Sequence, residues 1–334
     1  MDAPVPRALA GWLAPLAIGI ALAFLPLVLT PYQHDLVVKI LVYAIFAMSL
    51  ELLVGTTGLV SLGHAAFLGI GAYVAVLASP QSDPAALWWL LPAAVGCAAL
   101  YALFVGALSL RTRGVYFIMV TLAFAQMAYF VFHDTKIGGG SDGIYLYFKP
   151  TLGSLVGLDD REHFYYFVLG SLAFTWLLLA LVLRSRFGHA LAGIRTNEQR
   201  MRAAGFPTYA YKLAAFVLAG ALAGLAGFLL AVKDGVVNPE LLSWHESGAV
   251  LLMIILGGLG RLGGAVLGAT AFTLLKEFYS SEGWVGPLAA HWQLTLGLTI
   301  IAFVAWLPRG LMGVPQRLRR TPPRAAATAG TVDA

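Results

Sequence analysis

Residues 185–212 read SRFGHALAGIRTNEQRMRAAGFPTYAYK, between two uncharged runs, FYYFVLGSLAFTWLLLALVL at 164–183 and LAAFVLAGALAGLAGFLLAV at 213–232. A helix needs about 20 apolar residues to cross a hydrocarbon core, and each run supplies them. The segment between carries Arg186, Arg195, Arg200, Arg202 and Lys212 against a single acid, Glu198. Lys and Arg collect on the cytoplasmic side of membranes, so this segment is expected in the cytosol. It is longer than a simple turn requires, and a docking role for a cytosolic partner follows as an expectation.

The same reading extends to the whole chain, which is 60% hydrophobic and 11% charged, with a mean hydropathy of +0.82. Soluble domains are about 45–50% apolar and about 25% charged. The apolar residues come in long blocks, so the fold class is an all-α polytopic membrane protein. About ten transmembrane helices are expected, near 9–29, 36–54, 57–79, 88–110, 114–132, 164–183, 213–232, 246–260, 263–278 and 291–307. The stretch at 57–79 and the short Gly-rich pieces at 246–260 and 263–278 are the places for broken or re-entrant helices, which survive where backbone is buried in protein or lines a cavity. Residues 1–313 form the membrane domain. The Arg- and Pro-rich tail 314–334 has no apolar period and is expected as a disordered cytosolic end.

Charge sets the orientation. With the amino terminus in the cytosol, all 21 Lys and Arg fall on the cytosolic side except Lys39, Lys136, Lys149, Arg161, Lys233 and Lys276. Both termini are therefore expected inside. Residues 8–29 read as a retained span rather than a cleaved signal, despite Ala21-Leu22-Ala23, because the run exceeds an h-region of about 7–15 residues. The longest outer segment, 133–163, holds Gly138-Gly139-Gly140-Ser141-Asp142-Gly143 and the acids Asp159, Asp160 and Glu162.

Several motifs exclude chemistry. Gly258-Leu259-Gly260-Arg261-Leu262-Gly263 matches G-x-G-x-x-G, but it joins two membrane segments instead of a strand and a helix, so it reads as a tight turn. No phosphate-binding G-x-x-x-x-G-K-[ST] occurs, so ATP hydrolysis is not expected here and no cofactor is called for. The single Cys97 rules out an internal disulfide, and the His residues show no ligand spacing, so no metal is expected. The pI near 9.3 is explained by topology, not by nucleic acid. Gly220 with Gly224, and Gly264 with Gly268, form small-xxx-small faces, read as packing within the chain.

Ionisable residues inside a membrane usually mark a route for ions or protons. Glu51 is the clearest, near the cytosolic end of its span, where capping also explains it; no longer relay is visible. That disfavours the alternative reading, a self-contained ion-coupled secondary transporter or channel. His64 serves equally well as a satisfied structural histidine or a pathway residue. In the basic loop, Asn197 to Gly205 reads as a short helix ended by Gly205 and Pro207. Glu198 and Arg202 pair across one turn, and Leu191, Ile194, Met201 and Ala204 supply an apolar side.

Four blocks then carry a family resemblance: Gly58-Leu-Val-Ser-Leu-Gly-His-Ala-Ala-Phe67, Arg113-Gly-Val-Tyr-Phe-Ile-Met-Val-Thr-Leu-Ala-Phe-Ala-Gln126, Ile194-Arg-Thr-Asn-Glu198, and Leu256-Gly-Gly-Leu-Gly-Arg-Leu-Gly263 with Pro308-Arg-Gly-Leu311. Across about residues 40–313 the chain resembles the permease subunit of branched-chain amino acid ABC importers, LivM type. The resemblance implies a bacterial inner-membrane assembly with cytosolic ATPase subunits, a second homologous permease and a periplasmic substrate-binding protein, surrounded by membrane lipid. The loop then looks like the ATPase-coupling element, with Gly188, Ile194, Arg195, Asn197, Glu198, Arg202 and Gly205 as its residues. Ser61, Gly63, His64, Thr121 and Gln126 are the candidate lining of the translocation pathway. Gly138 stands where the family pattern has Thr, and no Pro follows Arg261.

Overall fold

The computed structural model describes residues 19–152, 156–307 and 310–313. Besides a helical stretch at 19–24, eleven α-helices of six residues or more organise them, with the basic segment Arg184–Lys212 at one end of the bundle. Helix α1 (Pro31–Glu51) starts on a capping box in which Thr30 and Gln33 exchange side-chain and backbone bonds. It continues as a π-helical turn, Leu52–Thr57, that stops at Gly58 in the left-handed region (φ 73°). Then come α2 (His64–Leu77), α3 (Leu87–Ser109), α4 (Val115–Asp134) and α5 (Arg161–Arg184). The basic segment forms α6 (Arg186–Thr196) and α7 (Glu198–Ala203). Helices α8 (Thr208–Asp234), α9 (Trp244–Gly257), α10 (Leu262–Ser280) and α11 (Trp292–Trp306) complete the set.

Two helices make the centre. The most apolar windows of Pro31–Thr57 and Thr208–Asp234 are 89% and 83% buried, against 33% or less for the other long spans. The small residues explain the closeness. An added Cβ at Gly227 of α8 would strike the Leu68 carbonyl of α2, and at Gly220 and Gly224 it would strike Ala102 and Ala98 of α3. Likewise Gly268 of α10 sits on the Met253 carbonyl of α9, and Gly264 lies against the Gly257–Gly258 backbone. Both small-xxx-small faces thus pack within the chain. Backbones held this close replace hydrophobic driving force with dispersion contact, the usual means of helix association in lipid.

Among the described residues, six helices are long and apolar enough to cross a membrane, or seven if the bent pair α9–α10 counts as one span. The count of about ten is therefore not confirmed, and the pieces expected to be broken or re-entrant depart from full spans for local reasons. Gly58 and the turn after it delay the helix at 57–79 until His64, leaving 14 residues, about 21 Å of rise against a core of about 30 Å. Helices α9 and α10 bend by 116° at their junction. The turn is made possible by Gly258 (φ 110°) and Gly260 (φ 86°), conformations closed to most side chains. Here the G-x-G-x-x-G match is the tight turn expected of it. Residues 9–18 of the span expected at 9–29, the stretch before it and the tail 314–334 lie outside the described residues.

At the opposite end the 135–160 segment stays close to the bundle. Strand β1 (Ile144–Tyr145) pairs antiparallel with β4 (Val236–Val237), and β2 (Thr151–Leu152) with β3 (Val156–Gly157). Gly143 packs on the Val237 carbonyl, too close for a Cβ.

Candidate functional site

At the basic end, α6 and α7 build a two-helix bracket. Ser185 caps α6 by accepting from the Gly188 N–H, and Asn197 caps α7 by accepting from the Arg200 N–H at 2.9 Å. Gly188 is buried because a side chain there would meet the Val182 and Leu183 carbonyls at the end of α5. Leu191 and Ile194 face the core, 0% and 3% exposed, and anchor the bracket. Met201 lies against Gly193, whereas Ala204 points to solvent, so the apolar side is narrower than the sequence suggested. Gly205 (φ 84°) reverses the chain into α8.

Glu198 is the electrostatic hub. Its carboxylate accepts from Arg202 at 2.5 Å, as the spacing foretold, and from Lys212 at 2.6 Å and Thr208 Oγ1 at 3.2 Å, which the spacing did not. Partial burial opposes ionisation, but Lys212 and then Arg202 outweigh it and hold the carboxyl below its ordinary value of 4.5. Glu198 and Arg202 thus tie α7 onto the first turns of α8. Arg195 is exposed overall, but its Nη1 reaches back to donate to the Gly55 carbonyl in the π-helical turn of α1. The exposed surface of α7 is formed by Gln199, Arg200, Arg202 and Ala203.

The second set of residues lies deeper. Ser61, His64 and Thr121 are 0%, 0% and 1% exposed. Gly63 packs on the Thr121 carbonyl, and its N–H donates to Ser61 Oγ at 3.3 Å. Ser49 Oγ donates to the Phe46 carbonyl at 2.7 Å, so it accepts from His64 Nε2 at 2.8 Å. That places a hydrogen on His64 Nε2, its ring between Phe46 and Phe67. Four of the five residues therefore come together in the packed interior, at the joint of α1, α2 and α4. Gln126 lies a turn and a half further along α4, half-buried and without a hydrogen-bond partner among the described residues.

Other polar groups surround the start of α9. Tyr43 Oη donates to Glu246 Oε2 at 3.3 Å, and Tyr129 Oη to Glu240 Oε1 at 3.5 Å. Ser247 Oγ accepts the Ala65 N–H at 2.9 Å, satisfying the first turn of α2. Tyr43 occupies the middle of its long span, so Glu246 lies well inside the bundle. The only sequence signal was an acid at the edge of an apolar run. Glu51 is 3% exposed and accepts the Gly260 N–H at the α9–α10 turn.

A family model described as "Branched-chain amino acid transport system / permease component" matches residues 33–305, which includes the bracket, the buried joint and the α9–α10 turn. The chain belongs to this permease family. It is 31% identical to the high-affinity branched-chain amino acid transport system permease protein LivM of Escherichia coli K12, over 83% of this chain and 69% of that protein. It is 24% identical to LivH of the same strain, over 82% of this chain and 92% of that protein. The autoinducer 2 import system permease protein LsrC of Escherichia coli is 28% identical over 46% of this chain and 47% of that protein. No solved structure gives a significant match. The permease is a multi-pass membrane subunit of an ABC importer.

Proposed function

We propose that this permease pairs with a second, related permease to carry branched-chain amino acids inward, driven by cytosolic ATPase subunits that dock on α6–α7. A periplasmic binding protein delivers the substrate at the opposite end, in the inner membrane of a bacterium, with both termini of the permease in the cytosol. The bracket carries the reading. It is a basic two-helix unit, anchored through Leu191 and Ile194, braced by Glu198 on Lys212 and Arg202, and open to solvent along α7. A rigid, charged lever outside the bilayer suits a partner that pushes. The similarity to both LivM and LivH supports a paired permease, and the function in the names of those relatives supports the substrate class.

Mechanistically, closure of the ATPases displaces α6–α7, and the glycine-rich joints let the bundle re-pack between two access states. An apolar amino acid needs no fixed countercharge along the way. Gln126 meets the path, while Ser61, Gly63, His64 and Thr121 hold the joint behind it. Recovery of the tagged permease from native membranes in mild detergent, with mass spectrometry, tests the assembly: an ATPase and a second permease should accompany it. A chain found alone or only with copies of itself would contradict the proposal.

A further inference from the structure

We propose that Arg195 and Glu51 are positioning residues that carry the movement of α6–α7 to the α9–α10 turn. The inference rests on the reading in which a partner ATPase moves the bracket.

Three elements meet at Gly55. Arg195 leaves α6, lays its stem beside Gly58, and donates from Nη1 to the Gly55 carbonyl. Gly55 lies in the π-helical turn Leu52–Thr57, a widened helix that departs from the regular i−4 ladder and recurs at functional joints. One turn earlier, Glu51 leaves α1 toward the α9–α10 turn and accepts the Gly260 N–H, with the Arg261 N–H beside it. The two bonds are linked sterically as well. A Cβ at Gly55 would collide with the Glu51 carboxylate and lie 3.1 Å from the Gly260 nitrogen. Gly55 is thus bonded to the bracket through its carbonyl and pressed on the Glu51–Gly260 pair through its bare α-carbon.

The turn at the far side of this chain of contacts is closely packed. Gly258 and Gly260 give it its shape, and Gly310 packs on its backbone, 2.5 Å from Gly258 Cα to an added Cβ. Helices α9 and α10 leave it at 116°. Glu51 supplies the acceptor oxygen that ties the backbone of this turn to α1, so a pull on the π-helical turn reaches it through that bond. Glu51 Oε2 has no partner among the described residues, so the grip runs through Oε1 alone.

The test uses the full transporter, reconstituted with its partner permease, ATPases and binding protein, measuring substrate uptake per ATP hydrolysed. In Arg195→Ala, which alters an exposed side chain, that ratio should fall about tenfold, the scale of a coupling free energy between sites. Glu51→Ala should do the same, whereas Glu51→Gln, which keeps an acceptor oxygen toward Gly260, should retain most of it. A wild-type ratio in Arg195→Ala would overturn the inference, as would Glu51→Gln failing as fully as Glu51→Ala, since the charge or a proton would then be what matters. If Glu51→Ala does not reach the membrane, Arg195→Ala and Glu51→Gln decide. Absence of ATP-driven uptake by the wild-type complex is a different failure, overturning the functional reading and this inference with it.

Discussion

Glu198 shows what one residue contributes and how far its sequence neighbourhood could say so. Its pairing with Arg202 follows from helical spacing, but Lys212 and Thr208 reach it only because Gly205 turns the chain back. The folded-state pKa is lowered, so the stabilisation from its ion pairs is complete above the ordinary carboxylate value of 4.5. It is lost as pH falls through the lower folded value. Hydrogen exchange of α7 should therefore stay constant from neutral pH to about 5, after correction for intrinsic rates, and rise below that; Glu198→Gln should raise it at neutral pH and remove the acid step. A charge swap of Glu198 and Arg202 is a poor probe, because the incoming guanidinium would face the Lys212 ammonium. His64 makes the opposite case. The sequence left it between structure and pathway, and only the Ser49 hydrogen bond shows how the ring is held in the interior. Ser49→Ala strands a buried N–H at a cost of about 1–3 kcal/mol. Thermal unfolding in detergent should show that loss, with transport per folded molecule largely kept.

At the scale of elements, hydropathy located the long helices to within a few residues, since desolvated backbone forces helix wherever about 20 apolar residues run together. It also marked 57–79, 246–260 and 263–278 as the pieces to break, but not the glycine conformations that break them. Nothing in the apolarity of 57–79 marks Gly58 as left-handed, and nothing in 246–278 states that the two halves meet at 116°. The helix contacts invite a direct comparison. Gly227→Ala puts a methyl into the Leu68 carbonyl, so α8 and α2 must separate, and the amount of folded protein in membranes should drop severalfold in an immunoblot. Gly248→Ala, also helical but with nothing within 4 Å of the new Cβ, should leave it unchanged or raise it, as alanine favours a helix interior over glycine by about 0.5–1 kcal/mol. Equal levels for the two variants would contradict the packing account.

At the scale of the whole molecule, the central pair Pro31–Thr57 and Thr208–Asp234 is enclosed by helices whose outer faces are apolar and open to lipid or to another permease. The sequence revealed the class, the basic end and the bracket, because composition and charge asymmetry are summed over many residues. It could not reveal the joint at Gly55, whose two bonds connect residues 140 and 209 positions apart. The central claim is that the surface of α7 receives a cytosolic ATPase. A photo-crosslinking amino acid at Gln199, exposed and outside the Glu198 ion pairs, tests it in native membranes. Covalent capture of an ATPase subunit, absent when the same probe is placed at Tyr147 at the opposite end, is the expected result. Capture of an ATPase from Tyr147 and not from Gln199, or from neither, would contradict the account.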